Sequence, residues 1–321
     1  MKPLIALKIG VTGGAGYVGS KLVKSLISGK NEVVSIDNLM NGDYGPLRTQ
    51  GAGDEANLLE GDIRDLEFMV EAFEGCDAIA HLAALPGLVK CRERPDEATS
   101  INVFGTYNVL EAARRLGIGK VVFCSTAAVY GKPAEMPVTE GIPLRPLNLY
   151  GVTKLAGERL MDVFSDNHGI ATVSLRFGNV FGVGLFTNYD TVVPKFVRMG
   201  LNGENLTVYG DGSSTRDFVH VEDIARALIL ALESKDKGSE VYNVGGETME
   251  IGVLAKRIVE SLRNSTGEKV GIANLPPRAG ETKEFSYNLE KIRKGLGYNP
   301  SWSIQAGIEQ IIEFRVNQVE A

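Results

Sequence analysis

Tyr150 and Lys154, in the run YGVTK, are the residues of this sequence best placed to move a proton. A spacing of i, i+4 sets a phenol and an ammonium on one face of a helix. A free tyrosine has a pKa of about 10 and is a poor base at neutral pH. A neighbouring cation stabilises the phenolate and lowers that value. Alone, such a pair is a common accident of an exposed helix. Its context here is different, because CSTAAVYG (residues 124–131) lies just upstream and supplies hydroxyls. Ser125 and Thr126 fall at the carboxyl end of a predicted strand, where open α/β sheets bind ligands. Hydroxyl, phenol and ammonium together suit exchanging a proton with a substrate alcohol while hydride leaves its carbon.

A hydride needs an acceptor, and the N-terminus offers a site for one. TGGAGYVGS, residues 12–20, carries Gly13, Gly16 and Gly19 at GxxGxxG spacing, with Tyr17 and Val18 inside the motif. It follows a predicted first strand and opens a predicted helix, the context that gives a glycine motif meaning. Glycines permit the tight turn, and the helix N-terminus meets a pyrophosphate with free amides. Asp37 ends the second predicted strand, where a carboxylate bonds both ribose hydroxyls and repels a 2′-phosphate. Asn38 and Leu39 follow it with no arginine, so the reading is NAD rather than NADP. Asp62 and Ile63 close the third strand beside the expected adenine, although Asp62 also suits a helix cap.

These residues require a parallel sheet covered by helices. Short apolar runs at 4–11, 32–37, 57–62, 78–83, 120–126 and 171–177 read as strands buried on both faces. Helical patterns at 17–28, 66–73, 97–116 and 149–167 alternate with them. This βαβ order predicts a doubly wound, Rossmann-type α/β sheet over residues 1–177. Residues 178–321 read as a smaller mixed α/β substrate domain with some segments returning to the sheet. Helices are expected there at 221–233 and 251–262, turns at 200–204 and 210–214, and a loop at 273–280.

Composition narrows the partners. The net charge is −6 with no long basic run, so nucleic-acid binding is not expected. No run approaches the roughly 20 apolar residues of a membrane span. The short apolar N-terminus leads into the glycine turn, which reads as a strand and not a signal peptide. Three cysteines (Cys76, Cys91, Cys124) and three scattered histidines (His81, His168, His220) give neither a disulfide framework nor a metal site, and fit a reducing cytoplasm.

Taken in order, TGGAGYVGS, HLAA (81–84), INVFGT (101–106), STAAVYG, YGVTK, RFGNVFG (176–182) and STRDFVHVEDIA (214–225) resemble the extended short-chain dehydrogenase/reductase superfamily. The likeness is to its NAD-dependent nucleotide-sugar epimerases and dehydratases, and within them to the UDP-glucose 4-epimerase type. It covers nearly the whole chain. The resemblance implies a catalytic set of Thr126, Tyr150 and Lys154. It implies an NAD site lined by Leu82, Ala83, Ala84, Asn102 and Ser125, with Phe177 near the nicotinamide. It implies a substrate site of Thr126, Asn179, Val193, Tyr209, Arg216 and Arg278, the two arginines clamping a diphosphate with their planar forks. It also implies a homodimer through the helices at 97–116 and 149–167.

The resemblance also bears on the reaction. Dehydratases of this kind carry Asp-Glu just after the catalytic threonine, and decarboxylases a glutamate at the second position. Here the two positions are Ala127 and Ala128, and neither transfers a proton. Reductases more often use NADPH, against Asp37. Epimerisation at C4 of a nucleotide-diphosphate hexose is the expectation that remains. Uronate and N-acetylhexosamine epimerases, dehydratases, reductases and a non-catalytic NAD-binding protein are the alternatives. Phe285 is the expected bulky residue that sets tolerance for an N-acetyl group. Leu85-Pro86-Gly87 departs from the usual pattern beside the sugar.

Overall fold

The computed structural model describes residues 6–49, 56–185, 187, 191–277 and 283–319. The first half runs β1 (Lys8–Thr12), α1 (Tyr17–Ser28), β2 (Glu32–Asp37), α2 (Gly45–Thr49), β3 (Ala56–Glu60), α3 (Leu66–Ala72), β4 (Ala78–His81), α4 (Leu88–Glu93), α5 (Pro95–Thr99), a π-helical turn (Ser100–Gly105), α6 (Thr106–Leu116), β5 (Lys120–Thr126), α7 (Leu149–His168) and β6 (Ala171–Phe177). The second half adds β7 (Asn179–Phe181), α8 (Val192–Leu201), β8 (Leu206–Tyr209), β9 (Thr215–His220), α9 (Val221–Glu233), β10 (Ser239–Val244), β11 (Glu247–Glu250), α10 (Ile251–Thr266), β12 (Ile272–Leu275), α11 (Glu290–Leu296) and α12 (Ile304–Val319).

Seven strands form one parallel sheet in the order β10-β6-β5-β4-β1-β2-β3. The central strands β1, β4 and β5 are apolar on both faces because helices cover both. Strand order reverses between β1 and β4, so the crevice for a ligand opens at their carboxyl ends. Register pairs Ser125 with Arg176 and Thr126 with Phe177 at the ends of β5 and β6. The seventh strand, β10, comes from the second half and joins the sheet beside β6. A three-stranded sheet, β11-β9-β7, and a two-stranded one, β12-β8, make up the rest of that half.

Local chemistry explains where the elements stop. Asn148 caps α7 by accepting from the Gly151 amide at 2.9 Å, and Gly169 ends it in the left-handed conformation. Gly157 lets α7 lie close on β5, since a Cβ there would sit 2.5 Å from the Phe123 ring. Several sequence expectations are corrected. The helix expected over 97–116 is broken into α5, the π turn and α6. Asn102 within that turn spends its side chain on Leu85 and Thr153, and such turns mark functional sites. The strand expected over 78–83 stops at His81, and the amides of Leu82 and Ala83 bond to Thr12 instead. The loop expected at 273–280 begins as strand β12, because β8 offers it an open edge. Residues 278–280 lie outside the described chain.

Candidate active site

The glycine turn between β1 and α1 faces the carboxyl end of β4. Gly13 has φ +73°, and a Cβ there would stand 2.7 Å from the Ala83 amide nitrogen. A Cβ on Gly19 would stand 2.0 Å from the Gly13 carbonyl oxygen. Gly16 is the N-cap residue of α1 and brings no side-chain oxygen to its first turn. That cradle is shaped for a phosphate approaching backbone amides. The Tyr17 hydroxyl donates to the Gly182 carbonyl at 2.6 Å, tying the turn to the second half. Val18 packs, partly buried, against the main core.

Asp37 accepts from the Ala15 amide at 3.0 Å and the Leu39 amide at 2.9 Å. Burial raises its pKa and these two amides work the other way. A carboxylate has about four acceptor positions, so two remain for ribose hydroxyls. Asn38 donates to Asp62 at 3.2 Å, and Arg64 grips Asp62 through Nε at 2.8 Å and a terminal nitrogen at 2.6 Å. These contacts hold the Asp62 carboxyl down at about 2. The helix cap that Asp62 also suited is made by Asp65, which accepts from the Phe68 amide. Ile63 is buried beneath Gly105, leaving its backbone as the part able to meet a ligand.

Thr126, Tyr150 and Lys154 come together at the end of β5. The Tyr150 phenol lies near enough to the Thr126 hydroxyl for that group to favour its ionised form, and the Thr126 oxygen accepts from the Ala128 amide at 3.2 Å. Ala127 and Ala128 form the short turn that follows. Lys154 is only 3% exposed, with its ammonium 4.4 Å from the centre of the Phe123 ring. Burial pushes its pKa down to about 8, with Cys124, Cys91 and Glu158 opposing that. The sequence reading expects Lys154 to lower the Tyr150 pKa. Within the polypeptide the phenol instead lies above its ordinary value. Burial raises it, the Cys91 and Cys124 thiols add to that, and only the nearby Thr126 hydroxyl opposes.

The other expected residues divide by where the fold puts them. Leu82 and Ala83 are partly buried beside the glycine turn, with Ala84 following them, and Phe177 ends β6 next to Thr126. Asn102 is buried, accepting from the Leu85 amide at 2.7 Å and donating to Thr153 at 3.0 Å. These bonds hold the Leu85 backbone beside the end of β4. The Ser125 hydroxyl donates to Glu158 at 2.5 Å. Asn179 and Arg216 share one face of the three-stranded sheet, since Asn179 pairs with Phe218, two residues beyond Arg216. Asn179 donates to the Asp217 carbonyl at 3.1 Å. Tyr209 ends β8, in the separate two-stranded sheet. Val193 is 1% exposed, in the core of the second half. Arg278 lies outside the described residues.

Sequence reasoning passed over Glu158, one turn beyond Lys154, and gave Arg176 no role. Both are buried and paired at 2.7 Å. It also left His81 as a scattered residue. His81 bridges Thr12 at 2.7 Å and Thr106 at 3.0 Å, and burial drives its pKa to about 3, so it stays neutral. Among the described residues no His, Cys, Asp or Glu cluster is placed to hold a metal ion.

Over residues 9–245 the sequence matches the NAD dependent epimerase/dehydratase family. The chain belongs to that family. NAD is therefore its cofactor, and the glycine cradle and Asp37 fit it. A UDP-glucose 4-epimerase of Lacticaseibacillus casei is 35% identical, covering 96% of this chain and 95% of that one. Among solved structures, a UDP-N-acetylglucosamine 4-epimerase from Methanobrevibacter ruminantium M1 superposes with a TM-score of 0.90 at 29% identity, covering 98% of this chain and 100% of that one. A UDP-glucose 4-epimerase from Thermotoga maritima, solved with UDP-glucose, gives 0.87 at 29% identity with the same coverage. This epimerase-family chain is thus a nucleotide-sugar enzyme on a Rossmann-type sheet with a smaller C-terminal part.

Proposed function

We propose that the protein epimerises a nucleotide-diphosphate hexose at C4, of the UDP-glucose/UDP-galactose type, through a transient 4-keto sugar. The observation that carries this reading is the Tyr150 phenol beside the Thr126 hydroxyl, one helical turn from the buried Lys154 ammonium, with Ala127 and Ala128 following. NAD, when bound, supplies the hydride acceptor and then the donor. Thr126 holds the sugar O4 against Tyr150. Tyr150 takes the O4 proton as the C4 hydrogen leaves with its electron pair. It returns the proton after the ketosugar has presented its other face, so the net change is an inverted centre. Lys154 holds positive charge one helical turn from the phenol, and together with the positive nicotinamide of bound NAD it would offset the burial that raises the Tyr150 pKa. With alanines at both positions after Thr126, the chain has no acid–base pair there to expel water from the sugar.

Arg216 and Asn179 would meet the diphosphate and Tyr209 the nucleotide, with Arg278 as the second clamp. Phe285 would limit the space at C2 of the sugar. It packs at 6% exposure against Tyr130 and Tyr287, ring centroids 6.4 and 5.1 Å away, and Tyr287 points its hydroxyl at the Phe177 carbonyl. A cytoplasmic location fits three buried cysteines that form no disulfide. No helix among the described residues is long and apolar enough to cross a membrane. A homodimer fits the exposed apolar face of α6 and α7.

The experiment is incubation with UDP-galactose and no added cofactor. Formation of UDP-glucose is the expected result. An accumulating ketosugar or an inert substrate would overturn 4-epimerisation. Faster turnover of UDP-N-acetylglucosamine than of UDP-glucose would retire the role given to Phe285.

A further inference from the structure

Tyr150, Lys154 and Glu158 stand at i, i+4 and i+8 of α7, one stripe facing β5 and β6. Glu158 is 1% exposed and Arg176 2%. The Glu158 carboxylate accepts from Arg176 Nε at 2.9 Å, from a second guanidinium nitrogen at 2.7 Å and from the Ser125 hydroxyl at 2.5 Å. Arg176 also donates to the Tyr130 hydroxyl at 2.7 Å, and Tyr130 donates to Asn243 at 2.6 Å. The sheet register sets Ser125 beside Arg176, immediately before Thr126 and Phe177. One carboxylate therefore spans the last turns of two strands that each end in a site residue.

A buried ion pair contributes little net stability against an apolar replacement. Fully satisfied, it fixes geometry and a local field. Among the described residues no carboxylate makes a salt bridge to Lys154. Its titratable neighbours are Tyr150 and Glu158 on α7, Cys91 on α4, Cys124 on β5 and His81 on β4. The neutral His81 and the two thiols with raised pKa values bring it no charge at neutral pH. On β10, Glu240 is occupied by Lys291 at 2.9 Å. Glu158 is thus the one full negative charge among the groups acting on Lys154, and Arg176 is its ion-pair partner.

We infer that Glu158 and Arg176 are positioning residues: their pair pins the ends of β5 and β6 against the stripe of α7 that carries Tyr150 and Lys154, and their charge balance governs over what pH range the Lys154 ammonium persists. The role in turnover rests on the proposed proton exchange by Tyr150; the effect on Lys154 does not. Removing the Glu158 charge exposes Lys154 to Arg176, so the ammonium is lost at lower pH. Removing the Arg176 charge leaves Glu158 unbalanced, so the ammonium persists to higher pH. Simple packing damage has no reason to produce opposite signs.

The test uses the NAD-bound protein carrying lysine enriched in the heavy carbon isotope at Cε. The Lys154 resonance is assigned by its loss in K154M and followed through a pH titration. E158Q is expected to move its midpoint down by about one unit or more and R176Q to move it up. No movement in either, or movement of both in one direction, would overturn the inference. Should neither single variant fold, E158Q/R176Q decides: a neutral hydrogen-bonding pair is expected to keep the wild-type midpoint, and a large displacement contradicts the charge balance. If wild type turns over UDP-galactose, E158Q is also expected to shift the alkaline limb of its kcat profile to lower pH with KM unchanged. A wild type inert to UDP-galactose removes the proposed function, while the resonance still reports on Lys154.

Discussion

Lys154 carries a cost that only function repays. Its folded-state pKa is about 8 against an ordinary 10.5, with burial as the main cause. A lysine whose folded value is depressed destabilises the fold wherever it must be charged. The penalty is fully present below pH 8, shrinks between 8 and 10.5, and is gone above that. At roughly 1.4 kcal/mol per pKa unit it amounts to about 3 kcal/mol at most. Substituting methionine, which fills the same slot without charge, is expected to raise Tm at neutral pH and abolish turnover. The Tm gain is expected to fade toward pH 10. Thermal melts of K154M and wild type across pH check this, and a lower Tm for K154M at neutral pH contradicts it. At this scale the sequence was partly legible. Tyr150, Lys154 and Thr126 declare themselves by spacing and by the strand before them. Glu158 sits on the same stripe, but its partners Ser125 and Arg176 are brought to it by the sheet, and no local pattern announces that. The π turn that holds Asn102 against Leu85 and Thr153 was not legible either, because its sequence reads as an unbroken helix.

At the scale of elements, the glycine turn is held by backbone rather than by side chains that give way. A Cβ at Gly19 meets a carbonyl oxygen at 2.0 Å and the Gly14 Cα at 2.8 Å, so α1 must move off the turn to admit it. Gly19→Ala is expected to cost about 1–3 kcal/mol of stability, as overpacking of a tight site does. It is also expected to strip NAD from the purified protein, because the amides at the start of α1 move with the helix. Denaturant midpoints and NAD content after gel filtration measure both; unchanged NAD content would place the cofactor elsewhere. The strands that bracket this turn were legible because a parallel sheet buried on both faces leaves continuous apolar runs. β2, β5 and β6 fall at their expected bounds. β10 escaped notice since SEVYNV is short and half exposed, and its partner β6 is distant in sequence. β12 escaped for a related reason: an edge strand paired with one neighbour needs little apolar character.

At the scale of the whole molecule, α6 and α7 pack side by side and present apolar side chains to solvent. Phe104 at the start of this face is 54% exposed, Tyr107 39% and Val163 50%. The Phe104 and Tyr107 rings stack at 6.1 Å, and Tyr107 meets Phe164 edge-on at 5.9 Å. Val152 and Val163 lie eleven residues apart on α7, close to three full turns, so both stand on one line. Stacked aromatics with an aliphatic line beside them form a contiguous patch of the kind that marks an interface. Two such helix pairs related by a two-fold axis would close a four-helix contact that is the same from both sides. If the proposed homodimer forms through this face, Phe104→Glu would place a charge in its contact while altering only a side chain that is exposed in the monomer. It is expected to shift sedimentation from dimer to monomer, leave the circular dichroism spectrum unchanged, and remove the rise of wild-type Tm with protein concentration. A wild type that sediments as a monomer at every concentration tested would leave this apolar face in need of another partner.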